Sequence, residues 1–301
     1  MRYVDSSLFK IQLIIQLILI ACFFFMQSSL NTQALLCGIL LCTIGIPHGS
    51  NDYIYRAELS KHGLLKFVII YLTIMLIYLI VWWYFPILAL IIFFLISIHH
   101  FGQSNFENTS LVYLPSILWG TWVLLFPVVI HYNTATTIFN QMIHPFKIGL
   151  QLDAYVAYEN IDLFKILIIA GFALIYFITL NYFESKVRFK YLLQFALVTI
   201  WFVITPLLFG FILFFSFWHS LQSLKHQSQF YTSVSQKNRF DFILKMLPFS
   251  IIALGSFAIY VYFRGFIISE AFILLSIITL PHVIVMHRLY NKSVSKYSLD
   301  I

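Results

Sequence analysis

The sequence predicts an all-α protein, a polytopic transmembrane helical bundle of about eight to ten spans. Three observations carry that reading. The 301 residues are 61% hydrophobic and only 10% charged, where a soluble domain carries about 25% charged residues. The mean hydropathy is +0.91, and the apolar residues gather in runs close to the ~20 residues a helix needs to cross the hydrocarbon. The Lys and Arg residues between those runs fall on alternate loops, as the positive-inside rule requires.

Taken in order, the runs place spans at 8–27, 32–49, 64–85, 86–104, 111–131, 162–183, 241–263 and 266–286. The first follows Arg2 and Lys10 and is apolar from Ile11 to Met26, which imitates a signal peptide. It is long for such a core and no A-x-A site follows, so it is expected to be a retained span. Region 189–226 is apolar from Tyr191 to Trp218 around Pro206, and reads either as one kinked helix or as two short ones, 189–205 and 206–224. With two spans there, ten in all, 15 of the 18 Lys and Arg residues lie on one side and only Lys147, Lys165 and Arg264 on the other. With one span the split becomes 9 against 9. The asymmetry favours two, with both termini cytoplasmic and the chain a multi-pass protein of the cell (inner) membrane.

The longest polar interruption, 132–160, holds Asp153, Glu159, His131 and His144. No soluble domain, internal repeat or low-complexity linker is evident, so residues 1–301 read as a single integral membrane domain. Cys22, Cys37 and Cys42 all sit in apolar stretches, which suits packing and not a disulfide framework. The net charge of +7 reports loop topology, and no basic run with stacking aromatics suggests nucleic acid. With 33 Phe and 18 Tyr, wide apolar surfaces are available for lipid or for a large apolar ligand.

Ten histidines in so apolar a chain need explaining. The informative ones lie in IGIPHGSND (His48, Asp52), SIHHFGQSNF (His99, His100), FWHSLQSLKH (His219, His226) and TLPHVIVMH (His282, His287). Each cluster ends a span, and the charge-derived topology puts all four on the cytoplasmic side. A polar side chain at membrane depth usually faces a cavity, a partner or a metal, and imidazole suits iron, zinc, copper and nickel. A single histidine near a span end is more often a hydrogen-bonded interfacial residue, which is the reading kept for His62, His131, His144 and His287. Four clusters on one face favour a shared metal. His99 and His100 are adjacent and point to different helix faces, so at most one of them is expected to bind the shared metal. His219 and His226 lie roughly 10 Å apart along a helix at 1.5 Å per residue, so His219 is the ligand and His226 an alternate ligand or outer contact. Asp52 is the best carboxylate to accept a proton from a ligand's far nitrogen, with Glu107 the second choice.

At these residues the sequence resembles the Brp/Blh family, the membrane β-carotene 15,15'-dioxygenases of bacteria and archaea. The matching features are PHGSND at 47–52, HFG at 100–102, WHS at 218–220 and PHVIVM at 281–286. The resemblance implies cleavage of β-carotene by O2 at its central double bond to two retinals, at a non-haem Fe(2+) held by histidines. His48, His100 and His219 carry over as ligands by motif. Some family members have a second histidine one turn after the WHS histidine, where this chain has Ser223, so His282 or His226 must serve, and geometry favours His282. Some members also carry an acidic residue shortly after HFG, where this chain has Asn105. The retinal product is expected to pass to a rhodopsin-type protein.

Carotene dissolves in lipid, so a site reached laterally between helices suits it, with Phe101, Phe215 and Trp218 as candidate lining. No catalytic acid–base pair is expected, because alkene cleavage needs oxygen activation more than proton transfer. A di-iron desaturase or hydroxylase expects dense H-x3-H and H-x-x-H-H boxes, which are missing. A His-lined transporter expects ionisable residues at mid-span and repeats. A bis-His haem protein expects a Soret band.

Overall fold

The computed structural model describes residues 6–26, 29–53, 61–106, 110–144 and 161–297. These form eleven helices, with no strand among the described residues: α1 (Ser6–Met26), α2 (Leu30–Gly49), α3 (Lys61–Tyr84), α4 (Pro86–Phe106), α5 (Leu114–Ile130), α6 (Tyr132–Ile143), α7 (Ile161–Phe183), α8 (Arg188–Ile204), α9 (Leu207–Ser235), α10 (Arg239–Arg264) and α11 (Ile268–Tyr297). Eight of them, α1 to α4, α7 and α9 to α11, are long and apolar enough to cross a membrane. The pair α5 and α6 makes a ninth candidate, bent by 101°.

Region 189–226 is two helices. Thr205 is extended, as the residue before a proline prefers, and α9 starts at Leu207 behind Pro206. Two side chains brace the break. Thr205 Oγ1 donates to Trp201 O at 2.6 Å, and Trp201 Nε1 donates to Gly210 O at 3.0 Å. The interruption at 132–160 is not wholly irregular, because its first part forms α6. The apolar positions Ala135, Ile138, Met142 and Ile143 repeat at helical spacing and are buried. His131 sits at the α5–α6 corner and bonds Phe202 O through Nε2 at 3.0 Å. Asp153, Glu159, Lys147 and Glu107 lie outside the described residues.

Unlike that of a soluble protein, the outer surface is largely apolar. Ile69, Leu72, Leu76 and Ile80 on α3, Ile166, Leu174 and Ile178 on α7, and Ile251, Ile252 and Ile259 on α10 point outward as lipid-facing surface. The interior holds interlocked aromatics: Trp122 stacks on Phe126 and Phe195, and Trp119 lies against Tyr176 and Phe214. Some polar atoms inside are paired across helices, since hydrocarbon offers no partner. Trp122 Nε1 reaches Thr199 Oγ1 at 2.9 Å and Trp82 Nε1 reaches Ser276 Oγ at 2.8 Å.

Small residues set how α4 lies in this bundle. A Cβ on Gly120 of α5 would drive into the Ile98 carbonyl, and one on Gly102 of α4 would drive into Ser116. The two backbones touch at these glycines, the packing that membrane helices use to approach closely. That contact fixes the end of α4 carrying His99 and His100. Gly120→Ala is therefore expected to destabilise the fold by about 1–3 kcal/mol through overpacking. Thermal unfolding in detergent reads this, and an unchanged midpoint would contradict the close approach.

Candidate metal centre

Four histidines from four helices meet inside the bundle. His48 ends α2, His100 lies in the last turns of α4, His219 is in the middle of α9 and His282 in the middle of α11. All four are between 2% and 5% exposed. Their ring centroids form a closed circuit: His48 to His219 5.4 Å, His219 to His100 4.7 Å, His100 to His282 4.9 Å and His282 to His48 5.3 Å. Every neighbouring pair meets edge-on, at 76–88° between planes. Among the described residues no three His, Cys, Asp or Glu side chains are drawn together into a ready-made coordination group. The four rings are neighbours in one cluster.

Two of the four histidines sit at π-helical stretches. Leu41–Gly45 precedes His48, and Phe215–Ser220 contains His219. A π stretch inserts one residue into an α-helix and re-aims the side chains that follow. Pro47 lies beside His48 in the short turn Ile46–Gly49 that closes α2.

The hydrogen bonds fix the tautomers of three rings. His48 Nδ1 contacts Gly45 O, which can only accept, so the nitrogen carries the proton. His282 Nδ1 lies 2.8 Å from Asp52 Oδ1 and donates to it. Ser104 Oγ spends its hydrogen on Phe101 O at 3.0 Å and accepts from His219 Nδ1 at 3.1 Å. Each of these rings keeps a lone pair on Nε2. The buried His282 Nε2 has no partner, and neither nitrogen of His100 has one. Buried polar atoms left unpaired in this way need an explanation.

Asp52 is buried and serves two partners. Its Oδ1 accepts from His282, and its Oδ2 accepts from Tyr71 Oη on α3 at 2.9 Å. The carboxylate thus serves a histidine 230 positions away and not its neighbour His48. Tyr71 was not visible as a site residue in the sequence, where it is one of 18 tyrosines in an apolar run. Around the rings, Phe101 stacks on His219 at 4.1 Å, and Phe215 lies 5.2 Å from His48 and 5.6 Å from His219.

Other expected residues lie elsewhere. His99 faces His287, with ring centroids 5.5 Å apart, and His287 Nδ1 pairs with Gln103 Nε2 at 3.1 Å. His226 is half-buried on the next turns of α9 and is not one of the four rings. Trp218, expected to line a substrate channel, turns toward α1 instead. It packs on Phe9 at 5.7 Å and donates Nε1 to Gln16 Oε1 at 3.0 Å. It is adjacent to His219, so the two side chains leave the helix in different directions. Ser223 takes a bond from Gln227 Nε2 at 3.2 Å. Asn105 exchanges two amide bonds with Gln194 of α8, at 2.9 and 3.3 Å, and so ties α4 to α8 away from the rings.

The model of the family described as beta-carotene 15,15'-dioxygenase matches residues 39–290, a segment that contains all four histidines, Asp52 and Tyr71. No curated protein and no solved structure matches the chain.

Asn105→Leu leaves the Gln194 amide buried without its partner. The expected cost is about 1–3 kcal/mol of stability with unchanged turnover per folded molecule. Melting in detergent and specific activity measure the two effects separately, and lost turnover at intact stability would place Asn105 in the site.

Proposed function

The chain belongs to the beta-carotene 15,15'-dioxygenase family, and from that premise we propose that His48, His100, His219 and His282 hold one Fe(2+) at which β-carotene is cleaved to two molecules of retinal. The family is one of oxidoreductases that incorporate O2, and its reaction is central cleavage of β-carotene. The observation that carries the finer reading is the closed circuit of four buried imidazoles. A nitrogen ~2.1 Å from a cation puts its ring centre roughly 3.3 Å away, so two such rings at neighbouring coordination positions lie about 4.6–5.3 Å apart. The four separations of 4.7–5.4 Å fit that spacing. The Nε2 lone pairs supply the donors, and a cation would satisfy His282 Nε2 and one of the two unpaired nitrogens of His100.

When bound, ferrous iron supplies the activation of O2 that a closed-shell alkene cannot achieve alone. The balance is simple: the 15,15' double bond breaks and each half leaves with one oxygen atom, so no external reductant is consumed. This separates the reaction from desaturation and hydroxylation, which need two further electrons.

The chain's own residues do the rest. Asp52 holds the Nδ1 proton of His282, which keeps Nε2 aimed at the centre and places a negative charge near a site of otherwise neutral ligands. Tyr71 holds the other carboxylate oxygen in place. Gly45 O and Ser104 Oγ orient His48 and His219 in the same way. Phe101 and Phe215 cover the rings with apolar surface and keep water away. A hydrocarbon substrate entering from lipid between helices meets such a surface at no desolvation cost. Both termini are assigned to the cytoplasm on the distribution of Lys and Arg, and the whole chain is assigned to one membrane domain. The retinal released there is suited to capture by a rhodopsin-type protein.

Expression in carotene-producing bacteria tests the reading. Cells are expected to lose their orange colour and accumulate retinal, with one iron per purified chain. His48→Ala, His100→Ala, His219→Ala and His282→Ala should each abolish iron and cleavage together, while His226→Ala should retain both. Intact carotene despite good expression and available iron would contradict the function. Lost iron in His226→Ala but not in His282→Ala would reassign the fourth ligand. Asp52→Asn is expected to weaken iron binding 10- to 100-fold, measured by chelator competition, and unchanged affinity would remove Asp52 from its role.

A further inference from the structure

The first helix carries two glutamines, Gln12 and Gln16, that are 3% and 2% exposed. An amide buried at membrane depth is costly unless it bonds, and both of these spend bonds on one place. Gln12 Nε2 donates to Phe217 O at 2.7 Å and lies 3.3 Å from Trp218 O. Gln16 Oε1 accepts from Trp218 Nε1 at 3.0 Å. Phe217 and Trp218 are the two residues immediately before His219, inside the π stretch Phe215–Ser220.

The backbone explains why a donor is needed there. In an α-helix the Leu221 amide would bond Phe217 O, four residues back. Here it bonds Ser216 O, five residues back. The π turn therefore takes from Phe217 O its regular partner, and an unpaired carbonyl in this buried setting is costly. Gln12 supplies the missing donor from another helix. Phe9, one turn before it, packs edge-on against the Trp218 ring at 5.7 Å and closes the same contact. Helix α1 lies outside the matched segment 39–290.

We infer that α1 is a clasp on the metal centre: Gln12 and Gln16 are positioning residues that stabilise the π turn of α9 and so hold His219 aimed at the other three rings. The inference rests on the ligand role proposed for His219. Without the clasp, the turn relaxes toward α-helical pairing, and His219 and the residues beyond it rotate relative to His48 and His100. The centre then keeps three of its rings in place and loses the alignment of the fourth.

The test uses the full-length protein in detergent with ferrous iron as the probe. Gln12→Leu keeps the volume and removes the donor. It is expected to weaken iron binding 10- to 100-fold, the usual effect of losing a group that orients a ligand, and to lower kcat with KM for β-carotene unchanged. Gln16→Leu removes only the indole contact and should give a smaller loss in the same direction. Phe23→Leu is the control on the same helix, because Phe23 packs on Trp201 and Phe209 and its ring meets no ring of the π turn among the described residues. It should lower the melting temperature and leave iron affinity and kcat unchanged. Gln12→Leu and Gln16→Leu that bind iron as tightly as the parent, or Phe23→Leu that weakens iron as much as they do, would overturn the clasp. In either case a parent chain that binds iron and loses it in His219→Ala leaves the ligand assignment standing. A parent chain without iron would end both.

Discussion

A nitrogen that can hydrogen-bond has few places to go inside a membrane. Water is absent, lipid offers no partner, and the backbone consumes its own groups within each helix. Every buried imidazole of this protein is held under that constraint. His48, His219 and His282 each give one proton to an oxygen and keep a lone pair on the other nitrogen. His100 gives neither nitrogen to anything among the described residues. The same constraint dictates the surroundings. Ser104 relays to Phe101 O, Tyr71 closes on Asp52, and Gln12 reaches a carbonyl that a π turn has stripped of its partner. In a soluble protein water would serve several of these groups, and the fold would be less tightly determined by them.

Two π turns give the centre its shape. A regular helix presents side chains at fixed angles, and four such helices would not bring four imidazoles from positions 48, 100, 219 and 282 around one point by default. The extra residue in Leu41–Gly45 and in Phe215–Ser220 shifts His48 and His219 onto new bearings. Each shift frees a carbonyl that something else must satisfy. The cost falls on residues that touch no ring, among them Gln12. The close contact of α4 and α5 at Gly102 and Gly120 does comparable work for His100 by fixing the height and rotation of α4.

Much of this was legible in the sequence, because the signals were strong in themselves. Long apolar runs report membrane helices whatever their tertiary partners, and Pro206 marked the break between α8 and α9. The motifs PHGSND, HFG, WHS and PHVIVM reported the four histidines that the structure brings together; adjacency said that His99 and His100 would not both join them, and the HFG motif chose His100. Partners across the fold were hidden, since no spacing rule links Asp52 to His282, Tyr71 to Asp52 or Gln12 to Phe217. Trp218 read as a channel aromatic for the same reason: it stands beside a site histidine, but its side chain leaves on the α1 side. Helix α6 was obscured by its polar face, Asn105 by its pairing with Gln194, and the π turns leave no periodic trace that a reader of the sequence could count.

X-ray absorption at the iron edge of the purified, iron-loaded chain examines the centre most directly. Four imidazole nitrogens around one iron, with the outer-ring scattering of histidine and no sulfur or second iron nearby, is the expected result. Loss of one imidazole's scattering in His282→Ala would follow from the same geometry. A spectrum with two or fewer imidazoles, a porphyrin signature or a short iron–iron distance would contradict it.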